Sequence, residues 1–243
     1  MRPTVLLLHG FTQTGASWRG VIEALGERYT ALAPDLRGHG SAAARRPVTV
    51  EACVSDVLAG APERFALAGY SMGGRLALRV ALAHPERVER LVLVGTTPGI
   101  ADDVERAARR EADDALAAEL EGGLGIEAFA SRWGRQPILK GQPPDVAAAA
   151  HEDRLRNDPA GLAAALRGLG QGAAEPLWPR LDELRMPVTA IAGERDGTYA
   201  KLAERMVARI PRARALIVPG AGHAVQLEAP GIVAAALSSG QDA

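Results

Sequence analysis

Gly69-Tyr70-Ser71-Met72-Gly73-Gly74 follows the apolar run Phe65-Ala66-Leu67-Ala68 and precedes the helical stretch 75–83. A strand, a tight turn of the form G-x-S-x-G and a helix make one unit. The small neighbours let the backbone bend sharply and lift the serine hydroxyl to the carboxyl edge of a sheet. The helix behind it offers free N–H groups and the positive end of its dipole. Taken alone, the hexapeptide also fits a serine that merely caps a helix between glycines suited to a turn, so the choice rests on the rest of the chain.

Three other turns sit where that unit needs them. His9-Gly10-Phe11 closes the apolar run 5–8, which brings the Phe11 N–H toward the serine turn; with the Met72 N–H it forms an expected oxyanion hole. Gly193-Glu194-Arg195-Asp196 closes the run 187–192, and Gly220-Ala221-Gly222-His223 follows the run 213–218. A serine at its ordinary pKa is a weak nucleophile and a weak base, so it needs an imidazole, and the imidazole needs a carboxylate to fix its tautomer. Ser71, Asp196 and His223 stand in the chain order Ser, Asp, His that belongs to this strand-turn-helix context. Asp35, in the loop Asp35-Leu36-Arg37-Gly38-His39-Gly40-Ser41, is the rival acid. It shares that loop with His39, which suits loop-shaping better than proton transfer. His9 is expected to make a structural hydrogen bond, His84 to end a helix before Pro85, and His151 to face solvent.

Around these turns, short apolar runs (5–8, 29–33, 64–68, 90–94, 187–192 and 213–218) alternate with helical segments (18–27, 50–58, 72–84 and 199–210). Runs without polar alternation imply strands buried on both faces, as in a parallel sheet, and the strand-helix alternation predicts an α/β fold with helices on both faces. The stretch 98–184 breaks the pattern. It is rich in Ala, Arg and Glu, and Gly122-Gly123, Pro143-Pro144, Asp158-Pro159 and Pro176 punctuate it into several short helices. At roughly 85 residues it far exceeds a single crossover of ~10–15. The expected division is a core of residues 1–97 and 185–243 with a helical cap of residues 98–184 over the sheet's carboxyl edge. The polar tail 238–243 is expected to fray.

Composition narrows the partners. The chain has 243 residues, 47% hydrophobic and 23% charged, with a net charge of −1. That balance gives no global field for nucleic acid or an anionic membrane, though a site can still be locally positive. The single cysteine, Cys53, excludes an internal disulfide and makes thiolate metal ligation a poor expectation. The first residues enter an apolar run without the layout of a signal peptide, and no run reaches the ~18 residues that span a bilayer. A cytoplasmic protein without membrane insertion, metal or obligatory protein partner is expected.

Together these motifs resemble the α/β-hydrolase superfamily over essentially the whole chain, which implies a cofactor-independent enzyme. That superfamily often opens with an antiparallel hairpin; only a few residues precede the first strand here, so a mainly parallel sheet of about six strands is expected. Ser71 argues against dehalogenases and epoxide hydrolases, which use an aspartate there. Further details resemble the synthase family of menaquinone biosynthesis that makes 2-succinyl-6-hydroxy-2,4-cyclohexadiene-1-carboxylate. They are Arg75 directly after the glycines, Pro98-Gly99-Ile100 ahead of Glu105 to Asp113, Phe129 to Trp133 with Gln136-Pro137, Arg156-Asn157 ahead of Leu166-Arg167-Gly168-Leu169-Gly170, and Asp196 with Tyr199 and Lys201. The resemblance implies a substrate with three carboxylates and a reaction that removes a ring proton and expels pyruvate, with Ser71 backed by His223 as the base. It also implies that Arg75, Arg109 and Arg156 bind carboxylates, for which planar, permanently charged guanidinium groups are suited. From the residues alone, Arg75 is the best placed, one turn along the helix from Ser71; Arg109 and Arg156 also suit a solvated charged face. Trp133 can pack on the substrate ring or anchor the cap, and Tyr70 can hydrogen-bond substrate or only pack. A serine hydrolase of the same fold, either a carboxylesterase or a carbon–carbon bond hydrolase, and a non-catalytic binding module remain the alternatives, because fold and triad do not set the reaction.

Overall fold

A strand with apolar side chains on both sides needs cover on both faces of its sheet. Strand β1 (Thr4–Leu8) shows the consequence in the computed structural model of the chain, which describes residues 2–238. Leu6 and Leu8 enter one core, Val5 and Leu7 another. β3 (Phe65–Tyr70) and β4 (Val88–Val94) repeat the division: Leu67, Leu91 and Leu93 join the first core, Ala68, Val92 and Val94 the second. With β2 (Thr30–Leu32), β5 (Val188–Gly193) and β6 (Ala213–Val218) they form a six-stranded sheet in the order β2-β1-β3-β4-β5-β6, every pairing parallel.

Helices cover both faces. α1 (Arg19–Leu25) packs with the C-terminal helix over the core that holds Val5 and Leu7; α2 (Val50–Gly60) and α3 (Met72–Ala83) contribute Cys53, Val57 and Leu78 to the core on the opposite face. Between β4 and β5 the chain builds only helices: α4 (Asp103–Glu121), α5 (Ile126–Gly134), α6 (Pro144–Arg154) and α7 (Pro159–Leu169), followed by a 3-10 turn at Trp178–Glu183. After β5 come α8 (Gly197–Val207), α9 (Val225–Glu228) and α10 (Pro230–Ser238). The fraying expected of the tail concerns residues 239–243, which lie outside the described residues.

The punctuation expected at Gly122-Gly123, Pro143-Pro144 and Asp158-Pro159 acts where it stands, and Asp102, not expected from the sequence, adds a further cap. The Asp102 carboxylate accepts the N–H groups of Val104 and Glu105 at 2.9 Å each and starts α4, Pro144 opens α6, and Asp158 caps the Gly161 N–H ahead of α7. One of the helices expected to be short, α4, runs for 19 residues, because nothing between Asp102 and Gly122 breaks it. α4 packs on α7, and Ala117, Leu120, Phe129, Leu162, Ala163 and Leu166 form a third apolar cluster within this segment, with Phe11 packed against it.

β1 lies between β2 and β3, so the connections leaving β1 and β3 diverge. Such a switch point opens a crevice at the carboxyl ends of the strands. Ser71 sits at that end of β3, and His9, Gly10 and Phe11 at that end of β1.

Candidate active site

Ser71 follows β3 at φ 50° and ψ −110°, a left-handed conformation that costs a non-glycine residue ~1–3 kcal/mol and persists only where its surroundings fix it. Its N–H donates to the Val94 carbonyl at 2.9 Å, and the Thr96 hydroxyl donates to its carbonyl at 2.7 Å. The flanking glycines are required by closeness. A Cβ on Gly69 would lie 2.3 Å from the Gly73 oxygen, and one on Gly73 would lie 2.1 Å from the Leu8 oxygen.

The acid and base expected from the sequence meet. His223 Nδ1 lies 2.6 Å from Asp196 Oδ2, both side chains are buried, and the other Asp196 oxygen accepts the Tyr199 N–H at 3.3 Å to cap α8. A carboxylate so placed holds Nδ1 protonated and leaves Nε2 free to accept a proton. The Glu228 carboxylate accepts from the Gly222 N–H and from Arg195 Nη2, each at 2.8 Å, and so ties the His223 loop to the Asp196 loop. The rival Asp35 spends its carboxylate on the Gly15 N–H, the Ser41 N–H and the Ser41 hydroxyl. His9 lies 2.9 Å from the Gly10 carbonyl through Nδ1, and its Nε2 accepts the Leu36 N–H at 2.9 Å, a structural fixture of the loop.

Ser71 and His223 line one cavity of about 330 Å³ between the strand ends and the helical segment. Phe11 and Met72 line it too, and among the described residues no protein acceptor takes either amide N–H. The β1 loop is close to the serine: a Cβ on Gly10 would lie 3.5 Å from Ser71 Cβ and 2.6 Å from the Tyr70 ring. Tyr70 and Tyr199 flank His223, with ring centroids 5.3 and 4.6 Å from the imidazole, and burial pushes both phenols up. Trp133 is placed both on the cavity wall and against the apolar cluster of the helical segment. It stacks on Phe129 at 5.6 Å and meets Phe11 edge-on at 5.1 Å.

Two of the three expected arginines reach this cavity. Arg75 lines it, donates to the Leu169 carbonyl at 2.6 Å, and is lowered to about 10 by burial. Arg109 lines it as well, donating to Asp113 at 2.9 Å and to the Gln171 side-chain oxygen at 2.8 Å. Arg156 does not. Its side chain is 64% exposed, lies 3.8 Å from the Asp153 carboxylate, and borders a separate groove with Arg19 and Glu152.

The buried arginine of that segment is Arg154, 4% exposed, with its pKa lowered by burial against the charges of Tyr70 and Asp153. Its Nη1 approaches Gly134, and its Nε has no partner among the described residues. Two residues apart at the end of a helix point roughly 200° away from each other, so choosing 156 for 154 turns the charge out of the protein. Gln171, Tyr199 and Asp113 were given no role from the sequence. Tyr199 and Asp113 stood only within the stretches that carry the family resemblance, and the cavity wall brings them together with Gln171.

A family model described as alpha/beta hydrolase fold matches residues 3–230. A Bacillus subtilis (strain 168) protein provisionally named 2-succinyl-6-hydroxy-2,4-cyclohexadiene-1-carboxylate synthase is 37% identical over 93% of this chain and 85% of its own length. A pimeloyl-[acyl-carrier protein] methyl ester esterase of Nitrosomonas europaea is 32% identical over 94% of this chain and 91% of its own. Among solved structures, MenH from S. aureus superposes with a TM-score of 0.87 at 28% identity, covering 96% of this chain and 91% of that one.

Proposed function

The chain belongs to the α/β-hydrolase family, and from that premise we propose that it is a pyruvate-eliminating lyase acting on 2-succinyl-5-enolpyruvyl-6-hydroxy-3-cyclohexene-1-carboxylate in menaquinone biosynthesis. The observation that carries this is the company Ser71 keeps. Arg75 and Arg109 line the cavity that holds Ser71 and His223, and Arg154 is buried within electrostatic reach of Tyr70. Two guanidinium groups on the cavity wall, with a third buried in electrostatic reach of Tyr70 on that wall, suit a substrate with several carboxylates, since a charge-assisted pair is strongest out of water. Asp113 offsets part of that charge and fixes the Arg109 fork.

In the proposed mechanism, residues 1–97 and 185–243 supply the reacting groups and the cap of residues 98–184 supplies the carboxylate contacts. Ser71 passes its proton to His223 Nε2 and removes the ring proton next to the succinyl ketone; Asp196 stabilises the resulting imidazolium. The electron pair moves onto the ketone oxygen, where the Phe11 and Met72 amides receive the charge. It then returns to the ring, breaks the carbon–oxygen bond to the enolpyruvyl group and forms the conjugated diene. The enolpyruvate takes a proton and leaves as pyruvate. No water is added, no acyl-enzyme forms, and the chemistry asks for no cofactor. The proposed setting is the cytoplasm; among the described residues no helix is long and apolar enough to cross a membrane.

Ester hydrolysis is the second function, favoured by the 32% identity with the methyl ester esterase. The same serine would attack an ester carbonyl, expel the alcohol and be released by water. The deciding experiment supplies the enolpyruvyl precursor and couples pyruvate to lactate dehydrogenase. One pyruvate per diene formed is expected, with the rate lowered at least ~10³-fold by Ser71→Ala. Folded enzyme that releases no pyruvate yet cleaves methyl esters would replace the lyase with the esterase.

A further inference from the structure

The loop that carries the Phe11 amide is held by the helical segment as well as by the sheet. Thr12 has φ 70°, a left-handed conformation uncommon for a β-branched residue, and is 1% exposed. Its carbonyl accepts Asn157 Nδ2 at 2.9 Å, while Asn157 Oδ1 accepts the Gly40 N–H at 3.1 Å. Thr14 gives its N–H to Asp153 Oδ2 at 2.9 Å and its hydroxyl to Asp153 Oδ1. Asp153 and Asn157 are both buried. One is in the last turn of α6, the other just beyond its end, and Arg154 lies between them in sequence. The same few residues therefore carry a buried cation and pin the β1 loop on either side of Gln13. A left-handed residue survives at such a place because its neighbours over-determine it.

We propose that Asp153 and Asn157 are positioning residues that fix the Phe11 N–H for the developing oxyanion, so that one short segment of the cap sets both the carboxylate contact and the oxyanion donor. This rests on the oxyanion role proposed above for that amide. Neither side chain lines the cavity, so each acts through the loop and not on the substrate. Losing the pins lets the amide drift, and a misplacement of about 1 Å can cost ~10²-fold in rate without weakening ground-state binding.

The test separates kcat from KM. Asp153→Ala and Asn157→Ala are each expected to lower kcat for pyruvate release ~10- to 100-fold while KM stays within about threefold. Asp153→Asn can still accept the Thr14 N–H and can donate to the hydroxyl oxygen, so it should recover kcat to within about fivefold of wild type. Thr14→Val, which keeps the volume and loses only the hydroxyl, should lower kcat about fivefold, and it serves if an alanine variant fails to fold. Hydrogen exchange over residues 9–15 should quicken in Asp153→Ala and return to the wild-type rate in Asp153→Asn. An unchanged kcat, a rise in KM alone, or an Asp153→Asn variant no better than Asp153→Ala with unaltered exchange overturns the proposal. If the wild type releases no pyruvate, the same split is read on aryl-ester turnover, and the exchange measurement reads the pins independently of substrate. Failure of the lyase function and failure of the positioning role are then distinct results.

Discussion

His39 is fully buried, its Nε2 has no partner among the described residues, and the His9 ring lies 5.0 Å away. Burial, with His9 beside it, lowers it to about 3. In the unfolded chain the same ring titrates near 6.5, so below that pH the unfolded state binds a proton that the native state refuses. Stability is present above pH 6.5 and falls as the pH drops toward 3, by about 2 kcal/mol at pH 5 from this ring alone. His39→Gln should shrink the difference in unfolding free energy between pH 7.5 and pH 5 by that amount in urea titrations; an unchanged difference assigns the acid sensitivity to other groups. Arg154 and Arg156 give a second contrast between neighbours. Arg154→Ala should raise KM for the trianionic substrate ~10- to 100-fold through the loss of a charge-assisted contact of about 1.5–3 kcal/mol. Arg156→Ala, a change at an exposed side chain, should leave kcat and KM within about twofold. Both predictions are read in the pyruvate assay, and equal effects would remove Arg154 from the site.

At the scale of elements, local signals decided starts and stops. Asp102 accepts two N–H groups at the head of α4, so Asp102→Ala should cost about 1 kcal/mol, read as a shift in the denaturation midpoint without loss of the fold. Strand ends were less legible. The run 90–94 extends back to Val88 because its backbone pairs with Phe65 at the start of β3, a partner that apolar counting does not see. The helical segment 18–27 is cut to α1 because Gly26, at φ 63°, takes the chain into a 3-10 turn. The segment 199–210 begins earlier, at Gly197, because Asp196 caps the helix with one oxygen while facing His223 with the other. One carboxylate thus starts an element and orients the base.

At the scale of the whole fold, three apolar clusters among the described residues stand behind the site: one on each face of the sheet and one within residues 117–166. Phe129 is fully buried in the third and meets both Trp133 and Phe11, which joins the helical segment to the β1 loop. Phe129→Ala should lower the unfolding free energy by about 3–5 kcal/mol, measured by urea denaturation. A loss below about 1 kcal/mol would mean that the cluster collapses around the gap. The sequence by itself determined the parallel α/β sheet, the serine turn and the order in which Ser71, Asp196 and His223 arrive, because these follow from local rules: apolar runs without alternation, glycines at a tight turn, and polar residues at strand ends. Only the tertiary structure decided that Arg154 faces inward and Arg156 outward, that Gln171 and Asp113 steady Arg109, and that Asp153 and Asn157 grip the β1 loop. These are contacts between segments up to 145 residues apart. Which face of α6 turns inward is set by the packing of its neighbours, because its run of alanines between charged residues marks no apolar face.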